Sequence, residues 1–301
     1  MLFNNEINAH IEAQSCRHQI NGLCLHAWHW PAPNRPKVVL LHGWLDCAAS
    51  FQFMAMALGG EWDVYAPDWR GCGLSAHQSH GYYDRALMLS DLSQWIDIIS
   101  PNEPVHIMGH SMGGMLAAHY AGTLPERVKS LVVAEGFGIE EGNVHEAAAR
   151  SARFLSAMSH PQPWLDLVDV AKVAAKFQQR NPLLSAERAL YFAHVLTETN
   201  TSGCLTYRAD NKHKIPQPLP YRTELAYAVW RHIRAPRLWV EGGLLPHNRY
   251  LQHVKQTLPQ RYAAMGKPQK ICFPESGHML HWEVPEQLAL ALNVFWCNQA
   301  A

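Results

Sequence analysis

The 301-residue sequence has no excess of charge of either sign: 25 lysines and arginines balance 25 aspartates and glutamates. With no basic surface and no long run of one sign, the charge pattern offers nothing to nucleic acid or to an anionic membrane. No apolar stretch approaches the length that spans a bilayer, so no integral membrane segment is expected. The start, MLFNNEINAHIEAQSC, lacks a basic head followed by an apolar run. No signal peptide is read there, and a cytoplasmic location is expected. The seven cysteines (16, 24, 47, 72, 204, 272 and 297) are scattered, odd in number and without a CxxC pair. Free thiols in a reducing compartment are the expectation. Nineteen histidines are present, yet none stands in HExxH spacing or in a recognised ligand pattern with a carboxylate. No metal and no cofactor are expected. Repeats and low-complexity segments are also missing.

What is present is a chain with 48% hydrophobic residues, enough for a large core and one domain carrying an insertion. Its centre is Pro104–Leu124, PVHIMGHSMGGMLAAHYAGTL. The segment reads as a short buried strand, a tight turn Gly109-His110-Ser111-Met112-Gly113, and a helix opening at Gly114. That is G-x-S-x-G in the strand–turn–helix context its chemistry needs. A serine at so sharp a turn is crowded by both elements, so the positions two before and two after must be small. Its hydroxyl then stands at the carboxyl edge of a sheet, above a helix N-terminus that favours developing negative charge.

Around this segment, strands and helices alternate. Glu6–Ala13 and Ile20–Trp30 read as an antiparallel pair with Asn21-Gly22 near their junction. Lys37–Leu41 is a strand buried on both faces, ending in His42-Gly43-Trp44. Ser50–Leu58 is helical, Asp63–Ala66 a strand, Asp84–Ile99 a helix and Val128–Ala134 another buried strand ending at Glu135-Gly136. This alternation predicts an α/β fold with a mostly parallel sheet whose strand ends carry the site. From Phe137 to about Tyr221 the pattern is helical (Glu146–Met158, Trp164–Gln179, Ser185–Leu196) with no convincing strand. We read residues 1–136 and 222–301 as the core domain and 137–221 as a helical cap inserted after the sixth strand, a lid over the site. Thr223–Arg234 resumes as helix, Pro236–Glu241 as strand, Arg249–Leu258 as helix, Gln269–Phe273 as the last strand and Pro285–Trp296 as the terminal helix.

A serine hydroxyl needs a base, and the base an orienting carboxylate. His278 follows the last strand in SGHMLHWEVPE and is the expected base; His281 is the rival, read as a packing residue. The loop after Pro236–Val240 holds no aspartate: it reads Glu241-Gly242-Gly243-Leu244-Leu245-Pro246. Glu135, at the end of the preceding strand, is preferred as the acid, with Glu241 kept as the alternative. The oxyanion hole is expected from the backbone N–H groups of Trp44 and Met112. Asp68 and Arg70 are read as structural. Trp44 and Trp164 are expected to wall an apolar pocket.

LHGW, DWRGCGLS, GHSMGG and SGHMLHWEVPE, in that order and spacing, resemble the α/β-hydrolase family across nearly the whole chain. Within it, HGWLDCAASF, the YRAD segment at Tyr207–Asp210 and the missing late aspartate look most like the serine hydrolase-like proteins. Some dehalogenases of this fold also place the acid after the sixth strand, but their nucleophile is a carboxylate where Ser111 stands here. The resemblance implies hydrolysis of a small, hydrophobic carboxylic ester or thioester through Ser111, His278 and Glu135. Carbon–carbon bond hydrolysis of diketones uses the same set. A catalytically silent small-molecule binder is the reading from another class.

Overall fold

Two periodicities in the sequence, one of two residues and one near four, become two kinds of layer. In the computed structural model, which describes residues 13–244 and 248–299, an eight-stranded sheet runs through the molecule in the order β1-β2-β4-β3-β5-β6-β9-β10. The strands are β1 Gln14–Ile20, β2 Leu23–Trp30, β3 Lys37–Leu41, β4 Asp63–Pro67, β5 Val105–His110, β6 Val128–Ala134, β9 Arg237–Gly242 and β10 Gln269–Phe273. β1 and β2 join antiparallel to β4, and every pairing from β4 to β10 is parallel.

Successive side chains of a strand point to opposite faces, and the buried strands divide accordingly. Val39, Leu41, Ile107, Leu131, Val133 and Trp239 enter one core, while Val38, Leu40, Met108, Val132, Ala134 and Val240 enter the other. The first core is closed by α2 (Arg85–Ile99), α3 (Met112–Thr123) and α7 (Thr223–Trp230). The second is closed by α1 (Gln52–Ala57) and α11 (Pro285–Cys297). Asp84 caps α2 by accepting from Ala86 N–H at 2.7 Å, which explains why the helix begins there.

Several expectations need correction. The strand before the Asn21-Gly22 turn is Gln14–Ile20, because both turn residues have positive φ (47° and 77°) and close a two-residue hairpin directly onto it. The earlier placement at Glu6–Ala13 lies, up to residue 12, outside the described residues. Residues 137–221 are not strand-free. Besides α4 (Ala147–Ser159), α5 (Val170–Arg180) and α6 (Ala186–Leu196), they contain β7 (Thr197–Thr199) paired with β8 (Leu205–Tyr207). The Thr-Glu-Thr run carries β-branched residues into a hairpin too short to show as a period. The helix placed over Trp164–Gln179 starts only at Val170, where Asp169 caps it by accepting from Lys172 N–H at 2.7 Å. Near the C-terminal end, α8 (Arg249–Val254), α9 (Leu258–Ala264) and α10 (Leu280–Glu283) flank β10. No helix among the described residues is long and apolar enough to cross a membrane.

Candidate active site

The carboxyl end of β5 turns into α3 at Ser111, whose φ of 52° and ψ of −118° lie outside the ordinary regions for a residue with a Cβ. The turn is possible because three glycines let backbone touch backbone. A Cβ on Gly109 would lie 2.4 Å from the Gly113 carbonyl carbon, and one on Gly113 would lie 2.2 Å from the Leu41 oxygen. Gly136, not singled out from the sequence, is as tight: its Cβ would sit 2.6 Å from the Ser111 oxygen. Ser111 N–H donates to Ala134 O at 2.9 Å and anchors the turn to β6.

Glu135 follows β6 with its own positive φ of 55°, fully buried. Its Oε1 accepts from Gly242 N–H at 2.7 Å and its Oε2 from Asn248 Nδ2 at 2.8 Å. The same Oε2 lies 3.1 Å from His278 Nδ1. Burial pushes the Glu135 carboxyl above its ordinary range, against the bonds from His278, Gly242 and Asn248 that favour the anion. His278 is about one-quarter exposed, with its Nδ1 edge on the carboxylate. Its carbonyl accepts from His110 Nε2 at 2.8 Å. Burial, with His281 and His278 beside it, holds His110 well below the usual histidine range, so it serves as a neutral donor. Among the described residues Ser111 Oγ makes no hydrogen bond to His278; such contacts often tighten only when substrate binds.

The two other candidates fall elsewhere. Glu241 lies on β9, takes the Trp239 Nε1–H at 2.5 Å and pairs with Lys270 Nζ at 2.9 Å. His281 is fully buried; its Nε2 lies 3.1 Å from Asp46 Oδ2 and 3.2 Å from Ser50 Oγ. Asp46, His110 and His281 bring ligand-type atoms within 4.8 Å of one another, although Asp46 and His281 already share a hydrogen bond. Asp68 binds His26 Nδ1 and the Ala48 N–H, each at 2.7 Å, and Arg70 grips Asp91 through two contacts of 2.6 Å. Both hold loops.

A cavity of about 310 Å³ opens over Ser111, bordered by Trp44, Arg85, Met112, Met115 and Tyr250. Gly43 is packed so closely on the elbow that a Cβ there would lie 3.3 Å from Ser111 Cβ, which brings the adjoining Trp44 backbone to the cavity. Among the described residues neither the Trp44 nor the Met112 N–H has an acceptor. The Trp44 ring is half exposed and donates through Nε1 to His213 O at 3.1 Å. Trp164 does not border this cavity: it donates to Ala209 O and packs on Tyr207. A larger cavity, about 530 Å³, lies at the opposite sheet edge beside Lys37, Pro104 and Lys129. Sequence reasoning missed Asn248 and Tyr250. Tyr250 Oη accepts from Phe137 N–H at 2.5 Å and donates to Gly138 O at 2.8 Å; neither residue stands in a motif.

The profile of the alpha/beta hydrolase family matches residues 38–291. A serine hydrolase-like protein of Dictyostelium discoideum is 31% identical over 237 residues, covering 73% of this chain and 64% of that protein. One from Danio rerio is 33% identical over 109 residues, 36% of this chain and 33% of the relative. The aligned segments thus span from about a third to under two thirds of these relatives' length. Among solved structures, a thioesterase domain from the curacin biosynthetic pathway superposes with a TM-score of 0.82 at 25% identity, over 93% of this chain and 99% of that one. A hypothetical protein from Pseudomonas aeruginosa PAO1 gives 0.78 at 26%, over 95% and 98%. The strand order, the serine at the β5–α3 turn and the match across residues 38–291 lead to one conclusion: this chain belongs to the α/β hydrolase family.

Proposed function

We propose that the protein is a serine hydrolase that cleaves a carboxylic ester or thioester of a small substrate, with Ser111 as nucleophile, His278 as base and Glu135 as the orienting acid. The observation that carries this reading is the 3.1 Å contact from His278 Nδ1 to a buried carboxylate that two further donors hold in place, beside the strained Ser111 turn. In the first step Ser111 Oγ forms a bond to the acyl carbon as its proton passes to His278 Nε2. The C–O or C–S bond to the leaving group breaks, and the leaving group takes that proton. Water, deprotonated by the same nitrogen, then attacks the acyl-enzyme and restores the serine. The free N–H groups of Trp44 and Met112 would receive the oxyanion, and burial makes such donors worth more than they are in water. Residues 137–221 would act as the lid. They are joined to the core at the pocket wall, where Tyr83 Oη donates to Asp210 at 2.7 Å and the His213 ring stacks on Tyr83 at 3.8 Å.

Thioester chemistry is a property of the curacin-pathway neighbour and enters here as part of the substrate class to be tested. The test is covalent labelling by a fluorophosphonate probe. Labelling of the intact protein that vanishes in Ser111→Ala and His278→Ala is the expected result. A folded protein that never labels would move the assignment to a silent binding member of the family.

A further inference from the structure

Arg85, the first residue of α2, stands apart from the chain's other arginines. Most of these donate to a carboxylate or a carbonyl, as Arg70 does to Asp91, Arg261 to Phe137 O and Arg237 to Met265 O. The ones without such a bond, Arg180, Arg231, Arg234 and Arg249, are exposed. Arg85 is partly buried, yet among the described residues it makes no hydrogen bond and no ion pair; its guanidinium rests 5.5 Å over the Tyr221 ring. The adjacent Asp84 attracts it from a distance but spends Oδ1 on the α2 cap, and Arg150 lies near enough to repel. Withdrawing a cation from water with no carboxylate bonded to it is costly, and the cation–π contact offsets only about 0.5–2 kcal/mol of that.

Its position gives the cost a use. Arg85 and Met115 border both the Ser111 cavity and a second cavity of about 190 Å³ that reaches Tyr221 and Trp230. A substrate bound over Ser111 therefore lies in the same cavity that the Arg85 side chain lines. Burial lowers the Arg85 pKa, but a guanidinium stays charged at neutral pH.

We propose that Arg85 receives a carboxylate on the substrate, so that the preferred substrates are esters or thioesters bearing a free carboxylate, such as half-esters of short dicarboxylic acids. This deepens the serine-hydrolase reading and rests on it for the word substrate. The binding claim can be measured without turnover. Calorimetry on Ser111→Ala would compare the mono-4-nitroanilide of glutaric acid with the neutral 4-nitroanilide of valeric acid, two amides of similar length. The anion is expected to bind about tenfold tighter or more, as for a charge-assisted contact. That preference should collapse in Ser111→Ala/Arg85→Met and survive in part in Ser111→Ala/Arg85→Lys. Equal affinity for the two amides in Ser111→Ala overturns the proposal, whether or not the Arg85 variants fold. An anion preference untouched by Arg85→Lys and Arg85→Met overturns it as well. Fluorophosphonate labelling separates the two failures: a labelled protein with no anion preference keeps the hydrolase and loses the subsite, and an unlabelled one with the preference does the reverse.

Discussion

The sheet around Ser111 and residues 137–221 are held by different means. Around Ser111, main chain lies on main chain: Gly109 against Gly113, Gly113 against Leu41, Gly136 against Ser111. In residues 137–221, α4 has no fully buried side chain, and Phe154 is half-buried against the Tyr82 ring. α5 and α6 pack on each other and on Trp282, whose ring stacks on Phe192 at 4.4 Å. Backbone contact leaves no room for substitution, whereas side-chain contact can be loosened one group at a time. The proposed reacting groups therefore sit where main chain packs on main chain.

The sharpest way to test this contrast is a matched pair of glycine changes. Gly113→Ala drives a Cβ into the Leu41 oxygen and should cost more than about 4 kcal/mol, enough to lose the fold. Gly203→Ala, at φ 81° with nothing near its Cβ, should cost about 1 kcal/mol. Urea unfolding reads both, and equal losses would erase the distinction. Next in size is Ser111→Ala, expected to lower turnover by about 10⁴-fold or more. Its thermal midpoint should stay within about 2 °C of the parent, since an alanine suffers the positive φ much as a serine does. Retained turnover would break the catalytic assignment.

Glu135→Gln against Glu241→Gln follows. The first should lower kcat by roughly 10²–10⁴-fold and the second by less than about twofold, because Glu241 is committed to Lys270. Since burial raises the Glu135 carboxyl, its own titration, followed by NMR of the side-chain carboxyl carbon, should lie above the ~4.3 of a free glutamate. A titration at or below that value would contradict the arrangement.

Stability should also fall on acidification. Burial lowers His106 in the core and His213 at the pocket wall to about 4. Their folded pKa lies below the unfolded ~6.5, so between pH 6.5 and 4 the unfolded chain binds more protons and stability drops by a few kcal/mol. The two regions separate here: His213→Gln should remove part of the slope, and an unchanged slope would assign all of it elsewhere. Smallest is Tyr83→Phe, which deletes the bond to Asp210 and the one its oxygen accepts from Gln78 N–H at 3.0 Å, and should cost about 1–2 kcal/mol. Hydrogen exchange should quicken in residues 137–221 and stay unchanged in β5 and α3; a uniform rise would show one cooperative unit in place of two.

Local order along the chain determined most of the fold and half of the site. KVVLL, VKSLVVA and the run before Gly109 are buried on both faces, and that alone marks central parallel strands. G-x-S-x-G names its serine because backbone geometry at the turn forbids large neighbours within two residues, a constraint written locally. The proposed oxyanion donors are backbone groups next to motif positions, so they could be named from the sequence as candidates. The β7–β8 hairpin was not, since three-residue strands carry too little period to be heard above α5 and α6. Only the tertiary structure decided which carboxylate meets His278. Glu135 follows its strand while Glu241 lies still within β9, which favoured Glu135 from the sequence without fixing the contact. Strand order and the twist of one residue fix it: Glu135 at φ 55° turns inward to Gly242 and Asn248, while Glu241 faces Lys270. Asn248 and Arg85 were invisible for the same reason. Their significance lies in what they touch, a buried carboxylate in one case and a cavity wall in the other, and neighbours distant in sequence are set only when the sheet closes.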